Sequence, residues 1–128
     1  MFQNFVVFGM IVSMLSSLLG MVYTFFSYTI LFDFSNTIPI WKIPVTFLTI
    51  GLILSGVYYI VLEKKPVLLL ASNICLVILS FLSIILPIVA TVPDEFPEMF
   101  PIFAIPLHFL LPMFWLAIFP SFYKKYYV

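Results

Sequence analysis

From Ile43 to Pro93 the chain reads IPVTFLTIGLILSGVYYIVLEKKPVLLLASNICLVILSFLSIILPIVATVP. Charge enters this stretch at one place only, Glu63-Lys64-Lys65, directly before Pro66. On either side lies an uncharged apolar run long enough to be a membrane-crossing helix, since about 20 residues at about 1.5 Å each span a hydrocarbon core of roughly 30 Å. Two spans joined by a charged turn are therefore expected here. Outward from this pair, residues 1–32 and 99–123 form two further uncharged runs. The reading is an all-α integral membrane protein, a bundle of four transmembrane helices with short loops, placed roughly at 5–29, 43–62, 67–90 and 100–121. Residues 1–128 form a single membrane domain in this reading. A transmembrane barrel is disfavoured, because its strands alternate polar and apolar residues whereas these runs are apolar on every side.

Composition agrees with that solvent. Apolar residues make up 65% of the 128-residue chain, aromatics 20% and charged residues 8%, against about 45–50% apolar and about 25% charged in soluble domains. The formal net charge is zero and there is no arginine, so a basic face for nucleic acid is excluded as a working hypothesis. The lipid bilayer is the first expected partner.

Lysine placement suggests an orientation. With four spans, Lys64, Lys65, Lys124 and Lys125 share one side with Glu63, while Asp33, Asp94, Glu95 and Glu98 share the other with Lys42. Positive charge stays inside, so both termini are expected in the cytoplasm of a prokaryotic inner membrane, or on the inner side of an organellar inner membrane. The start Met1-Phe2-Gln3-Asn4 has no basic region and reads as a retained helix rather than a removable signal. Tyr58, Tyr59, Tyr123, Tyr126 and Tyr127 suit an inner aromatic belt and Trp41 an outer one. Trp115 suits neither and is expected inside the bundle or against a partner.

Two connections face the outer side. Residues 33–42 read as a short irregular loop. Residues 91–101 carry Pro93, Pro97 and Pro101 at a spacing of four, interleaved with Asp94, Glu95 and Glu98. Proline fixes φ and removes an amide donor, so this loop should be rigid rather than regularly helical. Its acids suit either the positive end of the fourth helix dipole or an acidic docking surface or cation-attracting mouth.

Small residues mark the expected packing faces. The first span carries Gly9, Ser13 and Ser17 at intervals of four, and Ser16, Gly20 and Thr24 likewise; the second adds Gly51 and Ser55. Such residues admit a neighbouring backbone where lipid removes the hydrophobic drive for helix association. Met10, Met14 and Met21 share another face, read as flexible packing in preference to a copper stripe.

Few groups within the spans carry chemistry. The third has Ser72, Asn73, Ser80 and Ser83, of which Asn73 most needs a partner, since serines return bonds to their own helix. His108, between Pro106 and Pro112, is the one titratable nitrogen inside a span. Intramembrane ionisable groups suggest function, and Asn73 with His108 is the candidate buried polar site. A neutral imidazole bonded to Asn73, a serine or a proline-freed carbonyl is the simpler reading, and a metal-ligand role is the lesser one, because one histidine and one cysteine fall short of a closed zinc set. No catalytic motif, paired intramembrane carboxylate or phosphate loop is present. Catalysis by this chain alone is not expected, and no cofactor is predicted. The leading expectation is a noncatalytic accessory subunit of a larger membrane complex of respiratory, oxidase, transport or secretion type. A small homo-oligomeric channel or transporter comes next, and a redox or cofactor-binding subunit using His108 follows.

Overall fold

The computed structural model describes residues 1–127. It is all-helical, with no strand among the described residues, and four of its segments are long and apolar enough to cross a membrane: Phe2–Leu31, Lys42–Lys64, Pro66–Val89 and Pro97–Tyr127. Helix α1 spans Phe2–Phe26 and runs on through a π-turn at Ser27–Leu31; α2 spans Lys42–Lys64. The third segment opens with a 3₁₀ turn at Pro66–Leu68, continues as α3, Leu69–Ser83, and ends as α4, Ile85–Val89. A second 3₁₀ turn, Pro97–Met99, leads into α5, Phe100–Tyr127.

Prolines set several of these boundaries. Pro66 starts its segment, where a missing amide costs nothing, and Pro44 lies in the first turn of α2. Pro87 lies four residues beyond Ser83, so it removes the amide that Ser83 O would accept and crowds that carbonyl. The helix breaks there, at Ile84, whose amide turns back to Phe81 O at 3.4 Å. The expected continuous third helix is thus two pieces. By contrast, α5 carries Pro106, Pro112 and Pro120 without interruption, each leaving one carbonyl a turn earlier without its usual donor.

Packing follows chain order: α1 lies along α2 and α5, and α3 lies along α2 and α5. The closest approach is α1 on α2. An added Cβ at Gly9 would meet Ser55 Oγ and, at 2.8 Å, Gly51 O; one at Gly51 would meet Ser13 Oγ and, at 3.0 Å, Gly9 O. The two glycine–serine pairs therefore interlock reciprocally. Ser17 is buried on the same stripe, and Gly20 lies under Phe47 and Ile43 of α2. Met10 and Met14 point away from this contact and are exposed.

Aromatic rings fill the interior at one end. Phe8 meets Trp115 edge-on at 4.8 Å, and Tyr58 meets Trp115 at 5.1 Å and Phe119 at 5.1 Å. Trp115 is fully buried within the bundle. Phe2 against Tyr59 and Phe5 against Tyr127 bring the start of α1, the end of α2 and the end of α5 together. Lys64, Lys65, Lys124 and Lys125 consequently share one end of the bundle. A second cluster closes the other end, where Phe34 from the first loop is fully buried against Phe100 and Phe103, with ring centroids 5.3 Å apart in both pairs.

Candidate functional site

Polar side chains inside the four apolar segments mostly bond within their own helix. Ser16 donates to Val12 O, Ser55 to Gly51 O, Ser72 to Leu68 O and Ser80 to Leu76 O, all at 2.7–3.0 Å. Each satisfies its hydroxyl on the preceding turn and asks nothing of a neighbour. The interhelical exceptions are the groups of interest.

Asn73 and His108 do not form one site. Asn73 Oδ1 accepts from the Tyr58 hydroxyl at 2.7 Å, joining α3 to α2. His108 Nδ1 lies 3.0 Å from Ser83 Oγ, joining α5 to the break in the third segment. Ser83 Oγ also lies 2.7 Å from Ser80 O, which can only accept. A hydroxyl has one proton, so with that proton on Ser80 O the serine must accept from His108. This assigns the neutral imidazole its Nδ1–H tautomer. The freed backbone at Pro87 is thus bordered by a serine paired with the histidine. Cys75 is exposed on α3. Among the described residues, no group of three or more His, Cys, Asp or Glu side chains is placed to hold a metal ion.

The Tyr58–Asn73 bond permits a direct test. Trp115 Nε1 is buried without a hydrogen-bond partner among the described residues. Among the described residues Asn73 is the hydrogen-bond partner of the Tyr58 hydroxyl, and a double-mutant cycle with Tyr58→Phe and Asn73→Leu should give a coupling of about 0.6 kcal/mol and at most about 1.7 kcal/mol, the mean and the maximum for interhelical bonds in helical membrane proteins. A coupling near zero in reversible unfolding would mean the bond contributes nothing net.

The acids of the second loop separate. Asp94 turns inward, 7% exposed, and its Oδ2 accepts from the Thr37 hydroxyl at 2.5 Å, tying the second loop to the first. Glu95 and Glu98 are exposed, and Glu98 lies in the 3₁₀ turn ahead of α5. Near Asp94, Tyr28 donates to Ile38 O at 2.6 Å. Asp33 Oδ1 accepts from the Ser35 amide at 2.8 Å, and hydrogen bonds from Ser35 hold its carboxyl below the usual carboxylate range. Asp33 therefore stays ionised to lower pH than a free aspartate. No protein family, curated protein or solved structure matches this chain. The geometry alone carries the functional argument.

Sequence reasoning missed Phe34, Thr37 and Tyr28. A lone phenylalanine between Asp33 and Ser35 was the available signal for the first. Nothing in the spacing pointed to the other two.

Among the described residues, cavities border the bundle at two places of note. One of about 260 Å³ lies between α3 and α5, lined by Val77, Ser80, Phe81, Phe109, Pro112 and Met113 among others. A smaller one of about 180 Å³ lies between the π-turn and the start of α5, with Tyr23, Ser27 and Phe103 on its wall. Both are lined mainly by apolar side chains.

Proposed function

We propose that this chain is a multi-pass membrane protein acting as a noncatalytic accessory subunit that assembles with other membrane proteins. The observation behind this reading is the unequal burial of the four segments. Only 11% of the most apolar stretch of Pro66–Val89 is buried, against 28–44% in the other three. Leu76 and Ser80 are the buried residues of α3, and Pro87 that of α4. Leu70, Leu79, Phe81, Leu82 and Leu86 are all more than half exposed. A helix with this many long apolar side chains needs lipid or another protein along most of its circumference. The self-bonded serines, the Tyr58–Asn73 pair and the His108–Ser83 pair leave little polar machinery for catalysis, which favours assembly over chemistry. The four lysines at one end favour a cytoplasmic placement of both termini.

Extraction in a mild detergent followed by sizing and subunit identification tests the assembly. Recovery in a stoichiometric particle with larger membrane proteins is expected. A stable homo-oligomer containing this chain alone would replace the accessory-subunit reading with a channel or transporter.

A further inference from the structure

We propose that the groove between α3 and α5 binds an anionic phospholipid, with its phosphate among Lys64, Lys65, Lys124 and Lys125 and an acyl chain in the cavity of about 260 Å³. The site rests on the membrane placement of the chain and is independent of the accessory role. Both walls of the groove end in a lysine pair at the same end of the bundle. Lys64 closes α2 and Lys65 directly precedes the segment that opens at Pro66, while Lys124 and Lys125 lie in the last turn of α5. All four are exposed, and Glu63 is the one acidic side chain beside them. Four cations against one acid form a surface complementary to lipid phosphate.

The cavity has the lining and the depth of a chain site. Ser80 is the polar residue on its wall, and that hydroxyl is spent on Leu76 O at 2.7 Å. The rest of the wall is apolar, and Phe81 and Met113 are 59% and 60% exposed, so the groove faces the bilayer. Val77 and Leu116 line it on the lysine side, and Phe81 and Phe109 meet edge-on at 5.2 Å on the far side. From Leu116 to Lys124 the helix rises about 12 Å. One leaflet of hydrocarbon is roughly 15 Å deep, half of the membrane core. The cavity therefore begins where the far part of a lipid chain lies when its headgroup is at the lysines. A partner helix, about 10–12 Å across, is too wide for a space of about 260 Å³, whereas a flexible hydrocarbon chain enters it.

The test is titration of the full chain in maltoside micelles with dioleoyl phosphatidylglycerol or dioleoyl phosphatidylcholine, the lipid-bound fraction being read by native mass spectrometry. Saturable binding of phosphatidylglycerol in preference to phosphatidylcholine is expected. Lys64→Gln with Lys65→Gln, or Lys124→Gln with Lys125→Gln, should weaken half-saturation by phosphatidylglycerol about thirtyfold, the combined contribution of two lysines near an anionic surface. Val77→Phe, which adds a ring to the cavity wall, should weaken both lipids alike. Glycerol phosphate, which carries the headgroup charge without a chain, should not bind. The lysine variants and glycerol phosphate decide the matter even where Val77→Phe does not fold. Equal affinity for the two headgroups, a preference that survives both lysine replacements, or undiminished lipid binding by folded Val77→Phe would overturn the site. Recovery of the chain with a partner subunit and without bound phosphatidylglycerol would also overturn it, giving the groove to protein.

Discussion

Alanine at Gly9 or at Gly51 is expected to destabilise the bundle, whereas alanine at Gly56 is expected to leave it unchanged or slightly more stable. In a helix interior, alanine is ordinarily favoured over glycine by about 0.5–1 kcal/mol. At Gly9 that gain is overridden, because the new Cβ would overlap Ser55 Oγ and approach the Gly51 carbonyl to 2.8 Å. A serine rotamer can move, but a backbone carbonyl in the facing helix cannot move without shifting α2 away from α1. Overpacking of this kind costs about 1–3 kcal/mol, so a net loss of up to about 2.5 kcal/mol, centred near about 1 kcal/mol, remains. Gly51 meets the mirror-image obstacle in Ser13 and Gly9 O. At Gly20 the nearest atoms are Phe47 Cε2 at 3.0 Å and Ile43 Cγ2 at 3.1 Å, both on side chains that can adjust, so the penalty should be smaller. Gly56 has nothing within 4 Å of its Cβ position. Reversible unfolding in mixed micelles should order the four variants accordingly, and equal effects at Gly9 and Gly56 would refute the close α1–α2 contact. Ser55→Gly in the Gly9→Ala background should restore only part of the loss, since the Gly51 carbonyl stays in place.

Trp115→Ala carries the largest expected effect of a single side chain. Its ring is fully buried and lies among Phe8, Tyr58 and Phe119. Truncating a buried aromatic to alanine costs about 3–5 kcal/mol in soluble cores. Part of that figure is transfer from water, which shrinks when the separated helices are solvated by lipid as apolar as the core. The lost ring contacts and the cavity remain, so the lower end, about 3 kcal/mol, is expected in the same unfolding assay. Trp41, 62% exposed, is the internal comparison: Trp41→Ala should change stability by less than about 0.5 kcal/mol. A Trp115→Ala loss no larger than that of Trp41→Ala would place the indole outside the core.

The division between one dimension and three is visible in particular residues. Charge placement alone marks four apolar segments, because a chain that carries its charges at 33, 42, 63–65, 94–98 and 124–125 has no other stretches long enough to cross a bilayer. The small-residue stripe of α1 is equally local, since Gly9, Ser13 and Gly20 fall on one helical face by periodicity. The break before Pro87 follows from a rule of the backbone, although it becomes apparent only when Ser83 is identified as the residue four positions earlier. What periodicity does not contain is the rotation of one helix against another. By type a serine and Asn73 were both candidate partners for His108, and helical rise matched the depth of His108 to that of Asn73, which lies about 15 Å along the segment from Ser83. The packing of α5 on α3 turned the imidazole to Ser83, while α2 brought Tyr58 to Asn73. Likewise Asp94, Glu95 and Glu98 are alike in sequence, and only the fold of the two outer loops buries one of them against Thr37. Local sequence thus determined which segments are helices and which faces are narrow. Tertiary packing decided which polar group meets which, because a hydrogen bond requires atoms within about 3 Å and that distance is set by helix crossing and loop closure.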